Sequence, residues 1–254
     1  MADSVIGVIP ARFASTRLPG KPLVVIAGKP LVQWVWEAAS RCELIGRLLI
    51  ATDDARIVEA CRAFGAETVM TSAECPSGSD RLAEAIRGVA GDVIVNIQGD
   101  EPLIDPATID LAVEALLKDA NAAVTSAMVP FAADEDYTQP HMVKVVTDKS
   151  GYAMYFSRAP IPDMRRLDAA ERNSAPAAMK HVGLYVYRRQ ALETFVTLPP
   201  SRYELMEKLE QLRLLEAGMR IRMIEVGAAA VGVDTPEDVE VVEKLLAERS
   251  GVAG

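Results

Sequence analysis

Residues 5–23, VIGVIPARFASTRLPGKPL, join a short apolar run to a basic loop, and the fold can be predicted outward from this junction. The apolar run is rich in β-branched side chains and predicts a buried strand. The loop carries Arg12, Arg17 and Lys21, and no Asp or Glu occurs between Asp3 and Glu37. Because the whole chain has a formal charge of −9, the basic loop is a local feature that indicates a small anionic ligand.

The same succession of strand and helix continues through the first half of the chain. The apolar runs RLLIATD and DVIVNI precede the helical patterns ARIVEACRAF and PATIDLAVEALLKD, respectively. Strands that are apolar on both faces and alternate with helices predict a mostly parallel sheet covered by helices, here a doubly wound, Rossmann-like α/β fold. Such sheets bind ligands at the carboxyl ends of their strands, which is where the basic loop begins.

The pattern changes near Phe131. The runs MVKVVTD and YAMYFSR, joined by the turn DKSG, predict an antiparallel hairpin. Residues 162–178 are polar and interrupted by proline, which predicts a mobile loop. A strand at HVGLYVYR, a helix over residues 203–216, a strand at RIRMIEV and a helix after Thr235-Pro236 are expected to follow. We therefore expect one domain over residues 1–254, with a smaller β-rich region at about residues 131–189.

Composition narrows the possible functions. Half of the 254 residues are apolar, which is enough for a sizeable core. The acidic balance argues against non-specific binding to nucleic acid or anionic membranes, because both require a broad positive surface. The three cysteines lack CxxC spacing and predict reduced thiols in a cytoplasmic protein. We expect neither a signal peptide nor a membrane span.

The basic loop has the composition of a phosphate site. Arginine grips phosphate oxygens with a planar fork, lysine adds a point charge, and a tight turn at Pro19-Gly20 can offer backbone N–H groups to an anion. The loop matches neither GxxxxGK[ST] nor GxGxxG, which disfavours an ATPase or a dehydrogenase. A solvated surface loop with incidental charges is the alternative interpretation.

Two acids stand at the ends of apolar runs and are candidates for a metal site. Asp100 follows Gln98 in VNIQGDEPLI, and Asp234 lies in VGVDTPED. Magnesium takes one or two protein carboxylates together with phosphate oxygens and water. For Asp234, the sequence equally permits a structural role, since an acid followed by Thr-Pro-Glu is also a helix start with the acid as N-cap.

A third group of polar residues follows the hairpin. On a single helix Glu204, Glu207, Glu210 and Gln211 would share one face with Arg213, and such a run of charges is usually a solvated face. His181 has no Cys or Asp partner at zinc-ligand spacing. A lone histidine on a strand is more often a hydrogen-bonded core residue, and no nucleophile motif such as GxSxG is present.

In order along the chain, several strings resemble those of one enzyme family. They are IPARFASTRLPGKPL, ATDD, SGSDRLAEA, VNIQGDEP, YFSRAPIP, HVGLYVYR, LEQLRLLEAG and GVDTPED. Together they are similar to the 3-deoxy-D-manno-octulosonate (Kdo) cytidylyltransferases, from about residue 5 to residue 245. The resemblance implies a nucleotidyltransferase α/β fold with a small β-rich dimerisation region. It also implies a homodimer that converts CTP and Kdo to CMP-Kdo and pyrophosphate for lipopolysaccharide assembly.

The resemblance also implies roles for individual residues. The CTP contacts it implies are Pro10, Ala11, Arg12, Ser15, Arg17, Lys21 and Ser77. The Mg²⁺ ligands it implies are Asp100 and Asp234, which with Lys21 form the catalytic set. The Kdo contacts it implies are Arg81, Gln98, His181, Tyr185, Glu210 and Gln211. Direct in-line attack of the Kdo 2-hydroxyl on the α-phosphorus is the expected mechanism, with no covalent enzyme intermediate.

Two other functions remain open at this point. One is a cytidylyltransferase for a related acidic sugar, such as an amino-substituted Kdo or a sialic acid. The other is a non-catalytic nucleotide-sugar binding protein, which would be expected to lack a metal carboxylate or the loop lysine. This chain keeps Asp100, Asp234 and Lys21.

Overall fold

The computed structural model describes residues 5–14, 18–132, 135–164, 166 and 179–251. The chain divides into two compact units, Met1–Asp110 with Ala230–Gly254, and Leu111–Ala229. None of the helices in the described ranges has the length and apolar character that a membrane crossing requires.

The first unit alternates strands and helices, as its sequence pattern predicts. Its elements up to the unit boundary are β1 (Val5–Ala11), β2 (Val25–Ile26), β3 (Lys29–Pro30), α1 (Leu31–Ala39), β4 (Arg47–Thr52), α2 (Ala55–Ala63), β5 (Glu67–Met70), α3 (Gly78–Ala85), β6 (Val93–Asn96) and α4 (Pro106–Lys118), the last of which crosses the boundary. Strand β1 lies between β4 and β6, β5 lies outside β4, and all of these pairs are parallel. This arrangement confirms the predicted parallel sheet.

The second unit is richer in antiparallel pairs. It contains β7 (Val124–Pro130), β8 (Lys144–Thr147), β9 (Ala153–Ser157), β10 (Met179–Arg188), α5 (Arg189–Thr197), α6 (Arg202–Glu207), α7 (Gln211–Glu216) and β11 (Ile221–Glu225). Strand β7 pairs with β11 in parallel and with β10 in antiparallel fashion, and β10 also pairs with β8. Strands β8 and β9 form the predicted hairpin. The β-rich region predicted at about 131–189 lies inside this unit.

The prediction of one helix over residues 203–216 is wrong. Helix α6 ends at Glu207, Lys208 adopts a left-handed conformation with φ +56°, and α7 begins at Gln211. The interpretation of this segment as a solvated face also fails in part, since Glu204 and Gln211 are buried. Glu204 caps α6 through a reciprocal capping box with Ser201 and pairs with Arg213, so its charge is compensated inside the unit.

The chain returns to the first unit in its last helix, α8 (Pro236–Gly251). Residues before and within this helix complete an apolar cluster whose buried members are Ile26, Leu31, Leu103, Val233, Val242 and Leu246. Burial of these side chains fixes the course of the backbone immediately before Asp234. Most of the loop predicted to be mobile, residues 162–178, lies outside the described residues.

Candidate active site

Lys21 brings together the two acids that the sequence marks as metal ligands. Its Nζ lies 2.6 Å from Asp100 Oδ2 and 2.9 Å from Asp234 Oδ1. The lysine side chain is only 14 % exposed, whereas the carboxylates are 35 % and 44 % exposed. All three predicted catalytic residues therefore meet in the first unit, and both carboxylates are partly exposed.

Backbone contacts place these acids side by side. The N–H of Val233, which is fully buried, donates to the carbonyl of Asp100 at 2.8 Å. On the other side, Gly99 passes so close to β1 that a Cβ atom there would lie 2.5 Å from the Pro10 carbonyl oxygen. A glycine is required at such a close approach. The positions of Asp100 and Asp234 thus follow from main-chain packing.

The helix-cap interpretation of Asp234 is corrected by the start of α8. The residue directly before Pro236 is Thr235, and its Oγ1 accepts from the Asp238 N–H at 3.4 Å. Asp238 Oδ2 in turn accepts from the N–H groups of Thr235 and Asp234, each at 2.8 Å. Thr235 and Asp238 therefore cap the helix, and the Asp234 carboxylate is directed to Lys21.

Three of the remaining predicted CTP contacts lie at the carboxyl end of β1 or directly after it. Pro10 and Ala11 are its last residues, and Arg12 follows as an exposed side chain. Ser15 and Arg17 lie outside the described residues. Ser77 is the N-cap of α3, where its Oγ accepts from the Asp80 N–H at 3.3 Å and donates to the Asp80 carboxylate at 2.8 Å. Ser77 therefore caps a helix, and its contact with CTP stays a prediction.

Two predicted Kdo contacts belong to the first unit. Arg81 is buried on α3, and its guanidinium donates to Thr71 Oγ1 at 2.5 Å and to Asp53 Oδ2 at 3.0 Å. Gln98 lies between β6 and Asp100 in sequence and is half-buried. Its backbone carbonyl accepts from the Glu101 N–H at 3.3 Å. Arg81 therefore has structural partners of its own within this unit.

The second unit brings two other predicted Kdo contacts together on β10. The ring centroids of His181 and Tyr185 are 5.5 Å apart, and the Phe156 and His181 rings make a T-shaped contact with centroids 5.0 Å apart. His181 Nε2 lies 2.9 Å from Ser126 Oγ. Burial lowers the pKa of His181 to about 4, so the imidazole is neutral near pH 7. This is the hydrogen-bonded histidine that the sequence favoured.

The last two predicted Kdo contacts lie where α7 begins, directly after the break from α6. Glu210 is exposed at the N-cap of α7 and Gln211 is buried in its first position. Burial and then the charges of Tyr187 and Glu210 hold the pKa of Tyr185 well above its ordinary value. The Arg158 guanidinium supports the break, because its Nε donates to the Glu207 carbonyl at 2.8 Å.

Sequence reasoning missed several buried polar groups near these positions. Lys144 is completely buried, and its Nζ donates to the carbonyls of Gln139, Met142 and Arg158. Glu101, next to Asp100, has a buried Oε2 without a hydrogen-bond partner among the described residues. Burial and the charge of Asp100 raise the pKa of Glu101 to about 8. The sequence signal for such groups is weak, because any charged residue is expected at the surface.

The depressed pKa of His181 predicts a pH-dependent stability. Since the folded pKa of about 4 lies below the unfolded value of 6.5, unfolded chains bind more protons, and stability is lost as pH falls from 6.5 to 4. The substitution His181→Gln removes this pH-dependent contribution to the free energy of unfolding. We expect the stability advantage of the wild type over this variant to shrink by up to about 1.4 kcal/mol per pH unit in that range.

Urea unfolding of both proteins at several pH values measures this difference. The matched control is His141→Gln at the other histidine, which is exposed. If the difference in the free energy of unfolding between the wild type and His181→Gln stayed constant from pH 7 to pH 4, burial would not hold the imidazole neutral.

Comparisons with known proteins identify the family of this chain. A family model described as "Cytidylyltransferase" matches residues 6–221. The 3-deoxy-manno-octulosonate cytidylyltransferase of Geobacter metallireducens is 49% identical over 247 residues, covering 95% of this chain and 97% of the relative. The enzyme of the same name from Syntrophobacter fumaroxidans is also 49% identical over 247 residues, with 96% and 97% covered.

A solved structure shows the same relationship in three dimensions. It is the structure of CMP:2-keto-3-deoxy-manno-octonic acid synthetase complexed with CTP, and its sequence is 42% identical to this one. The TM-score is 0.90, with 96% of this chain and 99% of that chain covered. The family model covers well over half of the chain and the relatives match nearly all of it, so the chain belongs to the cytidylyltransferase family.

Proposed function

We propose that this chain transfers the cytidylyl group of CTP to Kdo and so forms CMP-Kdo and pyrophosphate. The observation that carries the proposal is the meeting of Lys21, Asp100 and Asp234 at the ligand edge of the first unit's parallel sheet. The names of the curated relatives support Kdo as the acceptor, and the CTP complex of the solved relative supports the nucleotide. The product would serve lipopolysaccharide assembly.

The chemistry requires two anions to react. The oxygen of the Kdo 2-hydroxyl attacks the α-phosphorus of CTP, the bond from that phosphorus to the pyrophosphate oxygen breaks, and the hydroxyl proton passes to solvent water. Arg12 and Lys21 offset the repulsion between the phosphates and the Kdo carboxylate. No side chain needs to form a covalent bond to the substrate, so positioning and charge stabilisation carry the catalysis.

We assign the metal site to Asp100 and Asp234, with Mg²⁺ as the ion. The Lys21 ammonium donates to a carboxylate oxygen of each acid, and this convergence of both acids on one cation supports the assignment. Among the described residues, no group of three His, Cys, Asp or Glu side chains is arranged for a metal, so substrate phosphate and water would complete the ligand set. When bound, Mg²⁺ supplies charge neutralisation and orientation of the phosphates.

The proposal assigns Kdo contacts in the second unit to His181, Tyr185, Glu210 and Gln211. His181 is neutral at working pH, so its part would be a hydrogen bond and not a charge. Gln98 and Arg81 of the first unit remain predictions for the same substrate. A cytoplasmic location, predicted from the cysteine pattern, belongs to the same proposal.

A related acidic sugar is the second candidate for the acceptor. A direct comparison of pyrophosphate release with Kdo, amino-substituted Kdo and sialic acid decides between these acceptors.

Asp100→Asn and Asp234→Asn test the catalytic centre. Each substitution keeps the shape of the side chain and removes one negative charge, so we expect folded proteins that lose about 10² to 10³ in kcat. Steady-state pyrophosphate release, with a thermal melt for each variant, measures the effect. Higher Mg²⁺ concentrations should partly restore activity if weakened metal binding is the main defect.

Thr235→Ala is the matched control for Asp234→Asn. It removes the side chain that caps α8 and should cost about 1 kcal/mol of stability without a specific loss of kcat. Near-native activity of Asp234→Asn would remove this residue from the catalytic centre and leave the two-carboxylate metal site unsupported.

Glu210→Ala and His181→Ala test the sugar contacts. If these side chains bind Kdo, kcat/KM for Kdo should fall by about 30-fold, equivalent to about 2 kcal/mol, while the KM for CTP stays close to that of the wild type. The exposed Glu248→Ala on α8 is a control in the other unit. Unchanged kinetics in a folded Glu210→Ala variant would return Glu210 to a solvated surface role.

Homodimer formation through the β8–β9 hairpin is part of the proposal. In the described part of the second unit, β9 pairs along its length with β8 alone, and Met154 on β9 is 63% exposed. Tyr203, Leu205 and Met206 of α6 are also exposed, and the Tyr203 ring lies 5.9 Å from that of Tyr155. An apolar strand edge of this kind favours pairing with a second copy.

We expect Met154→Lys to convert a dimer into a monomer. Light scattering at micromolar concentration measures the mass, and Val241→Lys, at an exposed apolar residue of α8, is the control that should remain dimeric. A wild-type protein that is monomeric at this concentration would contradict the assignment.

A further inference from the structure

We propose that Asp53 is a positioning residue for the basic loop and that Arg81 holds it in place. This inference rests on the proposed use of the loop for the CTP phosphates. Asp53 stands directly after β4, and neither the metal site nor the proposed sugar contacts include it. Asp53 binds the backbone of Phe13, the residue after Arg12. Through Phe13 it influences the position of Lys21.

Asp53 contacts the loop and α3 with its two carboxylate oxygens. Oδ1 accepts the Phe13 N–H at 3.2 Å, and Oδ2 lies 3.0 Å from Nη2 of Arg81. The side chains of Arg81 and Asp53 are only 4% and 11% exposed. A charge-assisted hydrogen bond that is shielded from water fixes the direction of the acceptor more firmly than a surface ion pair does.

The hydrogen bond to Phe13 reaches Lys21 through the base of the loop. The Phe13 carbonyl accepts the N–H of Gly20 at 3.3 Å, so the two ends of the loop are joined at that point. Gly20 has φ +66°, a conformation that glycine adopts without strain. Lys21 follows directly, and its Nζ reaches Asp100 and Asp234. A shift of Phe13 would therefore move the lysine at the catalytic centre.

Asp54, the neighbour of Asp53, holds the side chain of Phe13 through Arg56. Asp54 pairs with Arg56 through contacts of 2.9 and 2.6 Å, and the Arg56 guanidinium lies 3.4 Å from the centroid of the Phe13 ring. Asp54 also caps α2 through the Arg56 N–H. Asp53 and Asp54 thus fix the main chain and the ring of Phe13, respectively.

Arg81 is anchored behind Asp53. Its Nη1 donates to Thr71 Oγ1, which donates to the Thr52 carbonyl at 3.1 Å at the end of β4. This arrangement and the predicted Kdo contact of Arg81 lead to different expectations. A positioning role predicts that loss of the Asp53–Arg81 pair impairs the use of CTP, whereas a sugar contact alone predicts that it impairs the use of Kdo.

Asp53→Ala and Asp53→Asn test the positioning role. In Asp53→Ala we expect the KM for CTP to rise by about tenfold at saturating Kdo, while the KM for Kdo at saturating CTP stays within about twofold. Asp53→Asn keeps an oxygen that can accept the Phe13 N–H, so its effect should be smaller. Tryptic cleavage after Arg12 and Arg17, followed by mass spectrometry without any substrate, should be faster in Asp53→Ala than in the wild type.

Glu204→Gln is the matched control, because it breaks a similarly buried carboxylate–arginine pair in the second unit. It should lower the melting temperature without changing the KM for CTP or the tryptic cleavage of the loop. Unchanged cleavage and unchanged KM for CTP in folded Asp53→Ala would overturn the inference, as would a rise in the KM for Kdo alone. Faster cleavage with an unchanged KM for CTP would support the anchoring and overturn the proposed use of the loop for CTP.

Discussion

One ammonium group between two carboxylates is the constraint on which the first unit depends. Asp100 is 79 residues from Lys21 in sequence and Asp234 is 213 residues from it, yet both lie within hydrogen-bonding distance of its Nζ. Two acids this close repel each other unless a cation compensates them. The sheet, the close approach at Gly99 and the apolar cluster around Val233 all serve to bring these three residues together.

The Asp53–Arg81 pair, which holds the loop, is shielded from water more than the two carboxylates expected to bind the metal. The Asp53–Arg81 pair is nearly buried, whereas Arg12 is exposed and the Asp100 and Asp234 carboxylates are partly exposed. In the second unit the Glu204–Arg213 pair is likewise shielded from water, while Glu210 is exposed. Buried pairs of this kind fix geometry, and exposed groups remain accessible to charged substrates.

Much of the fold could be predicted from the sequence because apolar periodicity and turn residues are local signals. The parallel strands of the first unit and the β8–β9 hairpin follow from such patterns. The break at Lys208 could not be predicted, because helical periodicity continues through residues 203–216 while the stabilising contacts come from Ser201 and Arg158, outside that segment. Asp53 was missed for a related reason: its partners, Phe13 and Arg81, are 40 and 28 residues away.

Anomalous diffraction from crystals soaked with CTP and Mn²⁺ tests the metal site at Asp100 and Asp234 most directly, because Mn²⁺ shares the oxygen preference of Mg²⁺. A two-carboxylate metal site predicts a manganese peak within coordinating distance of both Asp100 and Asp234, with Lys21 Nζ on a phosphate oxygen. A peak that neither carboxylate coordinates, with Lys21 still paired to both acids in the CTP complex, would contradict it.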